Sequence, residues 1–584
     1  MASSDRPPAS VAVPDGDPAH DRPRAVEIAP VPGMSSLDGS GLIPESIGLT
    51  GRTIRGLAWF MTNVLLGKSL AFASFFVLGK ALSKEDFTVY VSAFALAAFA
   101  QVFRDGGAIY LIPQRGESQY HRVAGPVFWM AMAFNMAVAA ALAIGAHPAA
   151  KAFDDPRVAL ILWIVAVSVP LNTPATMFSA ILQMRMRFEA VSRIGMVSSV
   201  VRNTAIIALA VGGAGPLSFV LPLPFLAVLE GVMGYAAVRD PVWLRKPALA
   251  MWGELFGASK WLILTVIANA GVNQGAYLAL AALTPRGSTA VGVFFFAYNL
   301  VLQVDALLNF AVSYVLMGAF STIKDDAARH RAATVRAARA LSLIATPATI
   351  GLAVVAAPLE RLAWGGKWEE AVFTIQVVAL FCAWRIVLAV PFSATQAMGL
   401  WRYNAILMII AGAGTVAAIA AGTVIRPDAD TAGIAMGLFM FLGLGWVYVL
   451  GMRRTGVSAR AAIGAVARCW LIGVIAAGLT VWLAHLFRRP LSSLGEVADG
   501  IGHSAAHTVS AWFDLAPQTA SKLGHDLANI SGASVEMLLL GATFTKLFLV
   551  GLRLGAPAAV RDALSLAPAR VRPRLERLFL IRAA

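Results

Sequence analysis

The chain has 584 residues, of which 58% are hydrophobic and only 14% are charged, and its mean hydropathy is +0.72. Soluble globular proteins are about 25% charged, so this composition excludes a soluble enzyme or binding domain and predicts an all-α, polytopic membrane protein. The formal net charge of +15 does not indicate a nucleic-acid partner, because basic loops orient membrane helices by the positive-inside rule.

Apolar segments long enough to cross a bilayer follow one another from Arg52 onward, with short gaps between most of them. The preceding residues 1–50 are rich in Pro, Asp, Arg and Ser, which predicts a disordered cytoplasmic tail without a signal peptide. We predict about fourteen membrane helices. Their expected bounds are 53–82, 87–112, 123–146, 158–183, 190–213, 217–238, 253–283, 289–317, 339–358, 370–397, 403–425, 431–452, 463–486 and 535–555.

Basic residues concentrate in alternate loops of this prediction and in the tail at 557–584. Lys and Arg mark the cytoplasmic side of a membrane protein, so these loops are expected to face the cytoplasm. With an even number of helices, both termini then lie on the cytoplasmic side.

A faint repeat divides the apolar region into two halves. A shift of 202 residues aligns Trp59 with Trp261, and the same shift matches a Phe-Ala pair and a Gln-Val pair further along. Such a repeat fits two parallel six-helix units, as some transporters have. We therefore expect two pseudo-symmetric six-helix lobes, at 51–240 and 241–455, and two further helices within 456–556.

The predicted outer loop at 487–534 is much longer than the others. Its apolar residues recur near helical spacing, which predicts periplasmic amphipathic helices at the membrane surface. Asp499, His503 and His507 share one face of such a helix, a spacing that suits metal ligands. Nothing in the sequence supplies a fourth ligand, so we expect a solvated polar face and predict no metal or cofactor.

Ionisable residues near the middle of a membrane helix cost at least about 2.5–3.5 kcal/mol each, so they are the candidate site residues. The basic members of this set are Lys68, Arg104, Arg202, Arg385 and Lys546. The acidic members are Asp105, Glu230 and Asp305. The positive excess favours a cationic cavity for an anionic ligand such as a phosphate, with the acids coupling to an ion or pairing the charges. Pairing between helices, or snorkelling of a lysine, is the structural alternative for each residue.

Four stretches of the chain carry a family resemblance. They are LGKALSKEDFTVY at 78–90, FRDGG at 103–107, LQMRMRF at 182–188 and PLERLAWGGKWEEA at 358–371. In these stretches the chain resembles the polysaccharide transporter family, the O-antigen and exopolysaccharide flippases of the multidrug/oligosaccharidyl-lipid/polysaccharide flippase superfamily. The chain departs from the family pattern where Thr88 replaces a glycine and where Asn273 and Gln274 replace an Asp-Arg pair.

The resemblance implies alternating access by the two lobes around a central cavity. The implied substrate is an undecaprenyl-pyrophosphate-linked oligosaccharide, moved from the cytoplasmic to the periplasmic leaflet of the bacterial inner membrane. The expected partners are this substrate, membrane lipids, a coupling ion such as H⁺ or Na⁺, and polysaccharide polymerase or assembly proteins.

Three other functions stay open at this point: a drug or cation antiporter of the same fold, a polyprenyl-dependent membrane enzyme such as a polymerase or ligase, and a non-transporting scaffold. The positive bias disfavours the antiporter, because such sites use carboxylates. The sequence carries no HExxH metal motif, nucleophile elbow or P-loop, so we expect no enzyme activity.

Overall fold

The computed structural model describes residues 66–101, 108–185, 187–285, 287–323, 325–486, 517–557 and 559–560, and these residues form helices and short connections without a β-strand. The α-helices are α1 (66–81), α2 (Lys84–Gln101), α3 (Ala108–Phe153), α4 (Pro156–Leu171), α5 (Thr173–Met184), α6 (Phe188–Val211), α7 (Pro222–Val238), α8 (Trp252–Leu283), α9 (Ala290–Ser321), α10 (Ala327–Trp364), α11 (Glu369–Ile386), α12 (Ala389–Ala397), α13 (Trp401–Ile425), α14 (Ala429–Phe439), α15 (Gly445–Arg454), α16 (Ala459–Leu486) and α17 (Pro517–Gly555). A π-helical turn, Met440–Leu444, joins α14 to α15.

The predicted all-α membrane fold is confirmed. Among the described residues, ten helical stretches are long and apolar enough to cross a membrane, and an eleventh is added if α4 and α5 count as one span. The count of fourteen remains a prediction. The predicted tail at 1–50 lies outside the described residues.

Two of the predicted helices are broken in the structure by prolines. α4 and α5 meet at Asn172 with a bend of 42°, because Pro174 has no N–H and its ring clashes with the carbonyl group four residues earlier. Pro391 acts in the same way between α11 and α12. Each proline therefore divides one predicted span into two shorter helices.

Three helices extend beyond the predicted spans. α3 has 46 residues and α10 has 38, lengths of about 69 and 57 Å against a hydrocarbon core of about 30 Å. The predicted loop at 113–122 is therefore wrong, because α3 continues through it as helix. α17 begins at Pro517, so the second part of the predicted loop 487–534 is continuous with the last span, whereas 487–516 lies outside the described residues.

The helices pack as two halves, and α2 is one of the helices that join them. Within the first half α3 packs against α4 and α5, and within the second half α8 packs most extensively against α13. At that contact a Cβ on Gly271 would lie 3.5 Å from the Gly412 Cα, so small residues let the two backbones approach closely. α2 packs against both α8 and α9, and α2 and α9 are helices that the 202-residue shift relates. α16 and α17 both pack on α10.

Candidate functional site

Lys68 and Arg202 lie on two packed helices of the first half, α1 and α6. A Cβ on the glycine that precedes Lys68 would lie 3.2 Å from Ser199 Oγ, and Ser74 Oγ donates to Asn203 Oδ1 at 2.8 Å. The contacts advance in the same direction along both helices, so α1 and α6 run parallel. Lys68 is therefore nearly level with Ser199, and Arg202 lies about 4.5 Å further along the helix axis.

Neither of these two cations has a close acidic partner among the described residues. Arg202 Nη2 lies 4.0 Å from Glu230 Oε1 on α7, and the arginine side chain is 50% exposed. A close Arg–carboxylate contact is about 2.8 Å, so the guanidinium keeps donors for another ligand. Lys68 is half-buried and makes no ion pair or hydrogen bond within the part of the chain that the structure describes. Two cations at similar depth with one carboxylate leave a net positive charge that suits a phosphate.

Arg385 is the centre of a buried polar network in the second half. Its Nε donates to Asp305 Oδ2 at 3.2 Å, and its Nη1 donates to the Tyr298 hydroxyl at 3.3 Å. Its Nη2 donates to Asn273 Oδ1 at 2.9 Å. The side chains of Arg385 and Asp305 are only 11% and 9% exposed. The guanidinium thus has acceptors on α8 and α9, and its charge is balanced inside the protein.

The sequence identifies Asp305 as a candidate, but it does not predict that Tyr298 and Asn273 also bind Arg385. Asn273, which departs from the family pattern, accepts from Arg385 at a position where the resembling family carries an ionisable pair. Tyr298 and Asp305 are seven residues apart, which is two helical turns, so they share one face of α9. That spacing is the signal by which Tyr298 can be found. Asp305 also accepts from Asn309 Nδ2 at 3.2 Å.

The family stretches at 78–90 and 358–371 pack against each other at one end of the helices, which we call the closed end. The indole N–H groups of Trp364 and Trp368 donate to backbone carbonyl groups of α1 at 3.1 and 2.9 Å. Trp368 is fully buried, and its ring meets Phe87 of α2 edge to face with centroids 5.1 Å apart. The two halves of the chain are therefore joined here by buried aromatic contacts.

Lys367 adds charged hydrogen bonds at the closed end. Its Nζ donates to the carbonyl oxygens of Lys80 and Leu82 at 2.9 and 2.6 Å, which satisfies carbonyl groups that the end of α1 leaves unpaired. Burial lowers the pKa of Lys367, and the nearby carboxylates of Asp86 and Glu85 act in the opposite direction. Desolvation of the ammonium costs free energy, and the two hydrogen bonds offset this cost. These bonds exist only while the two halves meet at this end.

Two more contacts join the halves at the closed end. Lys84 Nζ lies 2.9 Å from Glu370 Oε2. The Gly292 N–H donates to Thr88 Oγ1 at 3.0 Å, and the same hydroxyl donates to the Lys84 carbonyl at 3.1 Å. The threonine that departs from the family pattern therefore bridges α2 and α9.

A lateral cleft of about 780 Å³ lies near the closed end between α2, α3, α4 and α8. Its walls are mostly apolar, and small residues such as Ala141, Gly145 and Ala281 line much of it. None of the predicted site cations is part of its lining. The cleft is thus a separate feature from the cation pair of α1 and α6.

The remaining predicted site residues do not join these groups. Lys546 is exposed on α17, a helix that packs on the outside of α10 and α16. Arg104 and Asp105 lie outside the described residues, as do the three residues of the metal hypothesis, Asp499, His503 and His507. Within the described ranges, no group of three His, Cys, Asp or Glu residues is placed to hold a metal ion.

Comparisons with known proteins agree with the resemblance of the four stretches. Residues 77–373, just over half of the chain, match the model of a family described as "Polysaccharide biosynthesis protein". The chain is 23% identical over 341 residues to the lipopolysaccharide biosynthesis protein WzxC of Escherichia coli K12, covering 57% of this chain and 68% of that protein. It is 24% identical over 332 residues to the succinoglycan biosynthesis transport protein ExoT of Rhizobium meliloti 1021, covering 56% of this chain and 65% of that protein.

The fold is similar to a solved structure of the lipid II flippase MurJ in an inward closed conformation. The TM-score is 0.61 at 10% identity, and the superposition covers 86% of this chain and 99% of that chain. This likeness concerns the fold alone.

Proposed function

The chain belongs to the polysaccharide biosynthesis protein family, within the polysaccharide transporters of the multidrug/oligosaccharidyl-lipid/polysaccharide flippase superfamily, and from this premise we propose that it translocates a lipid-linked oligosaccharide across the bacterial inner membrane. Its apolar helices and bacterial relatives support a multi-pass protein of that membrane. We further propose that the lipid carrier is undecaprenyl pyrophosphate and that both termini face the cytoplasm.

The observation that carries this proposal is the pair of loosely held cations at similar depth on α1 and α6. Moving a sugar and phosphate head group through hydrocarbon unaided is prohibitive, because each polar group loses its hydrogen bonds to water. Lys68 and Arg202 supply a point charge and a planar fork, the two kinds of donor that bind phosphate oxygens. We assign the phosphate-binding role to these two residues, and to Glu230 the role of holding the Arg202 side chain when no substrate is bound.

The second half has a different role in this proposal. Arg385 donates to three acceptors and is balanced by Asp305, so the network has no net charge to offer a pyrophosphate. A permanent guanidinium beside the carboxylate also opposes Na⁺ binding by charge repulsion. In this proposal Asp305 forms an ion pair with Arg385. The network around Arg385 then fixes α8, α9 and α11 relative to one another.

The closed end supports alternating access. It contains the turns at 82–84 and 365–368, which the loop-charge prediction places on the periplasmic side. While this end is closed, the substrate enters from the cytoplasmic leaflet. For release on the other side, the contacts of Trp364 and Trp368 with α1 break.

A gene deletion tests the proposed function. We expect loss of a surface polysaccharide and accumulation of its lipid-linked precursor, with the saccharide inaccessible to an added lectin in spheroplasts until the membrane is permeabilised. Precursor that binds lectin in intact spheroplasts would contradict flipping and favour a later step such as polymerisation. Loss of drug resistance with normal polysaccharide would instead support the antiporter of the same fold.

Replacing Lys367 with methionine is expected to weaken the closed end, because two charged hydrogen bonds to the end of α1 and the turn after it are lost while the apolar stem remains. The measurement is the rate at which a membrane-impermeant maleimide added from the periplasmic side labels a cysteine placed at the buried Leu78. We expect an increase of about five- to tenfold, or roughly 1–1.4 kcal/mol in total, because Lys367 is only half-buried and water replaces part of the lost hydrogen bonding.

Lys80→Met is the matched control for this prediction. It removes a charge at the same end, but the Lys80 side chain donates no hydrogen bond to another described residue and lies over the Phe76 ring. Equal labelling rates in Lys367→Met and Lys80→Met would show that Lys367 does not hold this end closed.

A further inference from the structure

α17 presents an exposed stripe to the surroundings of the protein. Its opposite face is buried on α10 and α16 through Phe544, Phe548 and Leu552. The exposed stripe has helical spacing, and its members are Leu538, Leu539, Ala542, Thr545, Lys546, Val550 and Arg553. The packed phenylalanines fix the rotation of the helix, and an ion pair of 2.7 Å between Arg361 and Glu536 holds it to α10. The stripe therefore faces away from the rest of the described protein.

Lys546 lies within this stripe and near the middle of the apolar span Ala533–Gly555. It has no ion pair or hydrogen bond with another residue that the structure describes. The end of the span is nine residues away, about 14 Å of helix, which exceeds the reach of a lysine side chain. Snorkelling thus does not bring the ammonium to the head groups, and lipid tails offer it no acceptor.

The residues beside Lys546 permit close approach by another helix. Ala542 is small, and the Thr545 hydroxyl donates to the Gly541 carbonyl at 2.7 Å within α17. Small residues of this kind line helix–helix contacts in membranes. A twofold pairing of α17 with the same stripe of a second copy would bring two Lys546 side chains together, and like charges oppose that arrangement.

We infer that this stripe is a docking site for a membrane-spanning helix of a different protein that carries an Asp or Glu near the middle of its span. The carboxylate complements the ammonium at the depth where neither water nor lipid head groups reach it. Ala542 and Thr545 let the partner backbone come close enough for the contact. This surface lies apart from the cation pair of α1 and α6, so the inference does not depend on the proposed transport.

The test uses a synthetic transmembrane helix as probe. The full chain is reconstituted at pH 8 in phosphatidylcholine vesicles, and its association with a labelled Leu/Ala peptide of about 23 residues is followed by energy transfer. Peptides with a central Asp, Asn, Leu or Lys are compared. We expect association of the Asp peptide to weaken by about three- to eighteen-fold in Lys546→Leu, the range that interhelical polar contacts in membranes span, and to weaken also in Ala542→Leu.

Three outcomes would overturn the inference. One is equal association of all four peptides, and another is association that does not change in Lys546→Leu. The third is energy transfer between two differently labelled copies of the chain that disappears in Lys546→Leu, because the stripe would then bind a second copy.

Discussion

Replacing Lys68 or Arg202 with methionine is expected to reduce export of the lipid-linked saccharide by about 10- to 150-fold in each case. Each residue donates charge-assisted hydrogen bonds to the substrate phosphates in our proposal, and one such bond contributes roughly 1.5–3 kcal/mol. Methionine keeps the apolar volume of either side chain, so the helices are expected to insert and pack as before. The measurement is recovery of the surface polysaccharide in a deletion strain that expresses each variant at equal level.

Lys151→Met is the matched control. Lys151 is an exposed lysine in the last turn of α3 and is not part of the proposed phosphate site, so its loss removes the same charge without changing that site. Full export by Lys68→Met and Arg202→Met would remove the basis of the phosphate assignment. A parallel loss in Lys151→Met would show that net charge, and not position, determines export.

The sequence predicts the membrane fold well because the bilayer imposes one simple constraint. A segment of about 20 apolar residues has to be helical, and the bounds of α6, α8, α13 and α16 fall within a few residues of the predicted ones. The predicted ends of α3 and α10 were wrong because these helices are longer than a membrane span and continue as helix through polar sequence. The breaks at Asn172 and before Pro391 follow from proline chemistry, which hydropathy does not contain.

The candidate site is less predictable because a membrane helix is apolar on all sides. In a soluble helix the polar face identifies solvent, but in lipid both the packed and the exposed face are apolar. The sequence therefore identifies Arg385 and Lys546 equally as charges within a span, although one is buried in a network and the other is exposed on a peripheral helix. Pairing of Arg385 with Asp305 depends on which helices are neighbours, and that is fixed by contacts between residues distant in sequence.

Breaking the Arg385–Asp305 pair from either side is expected to destabilise the protein by about 3–5 kcal/mol, because each single change leaves a buried charge without its partner. We propose Arg385→Met and Asp305→Asn as the single variants and their combination as the third protein. The combination removes both charges, so it is expected to be clearly more stable than the sum of the two single effects predicts. Unfolding on heating in detergent measures all three against the unchanged chain.

The export assay separates the two roles that remain for this pair. If Arg385 and Asp305 serve only to hold α8, α9 and α11 together, the double variant regains both thermal stability and a large part of the export that the single variants lose. Additive losses of stability would contradict the pairing seen in the structure. A double variant that is stable but exports nothing would instead show that the charges of the second half act on the substrate or on a coupling ion, and it would move the phosphate-binding site beyond Lys68 and Arg202.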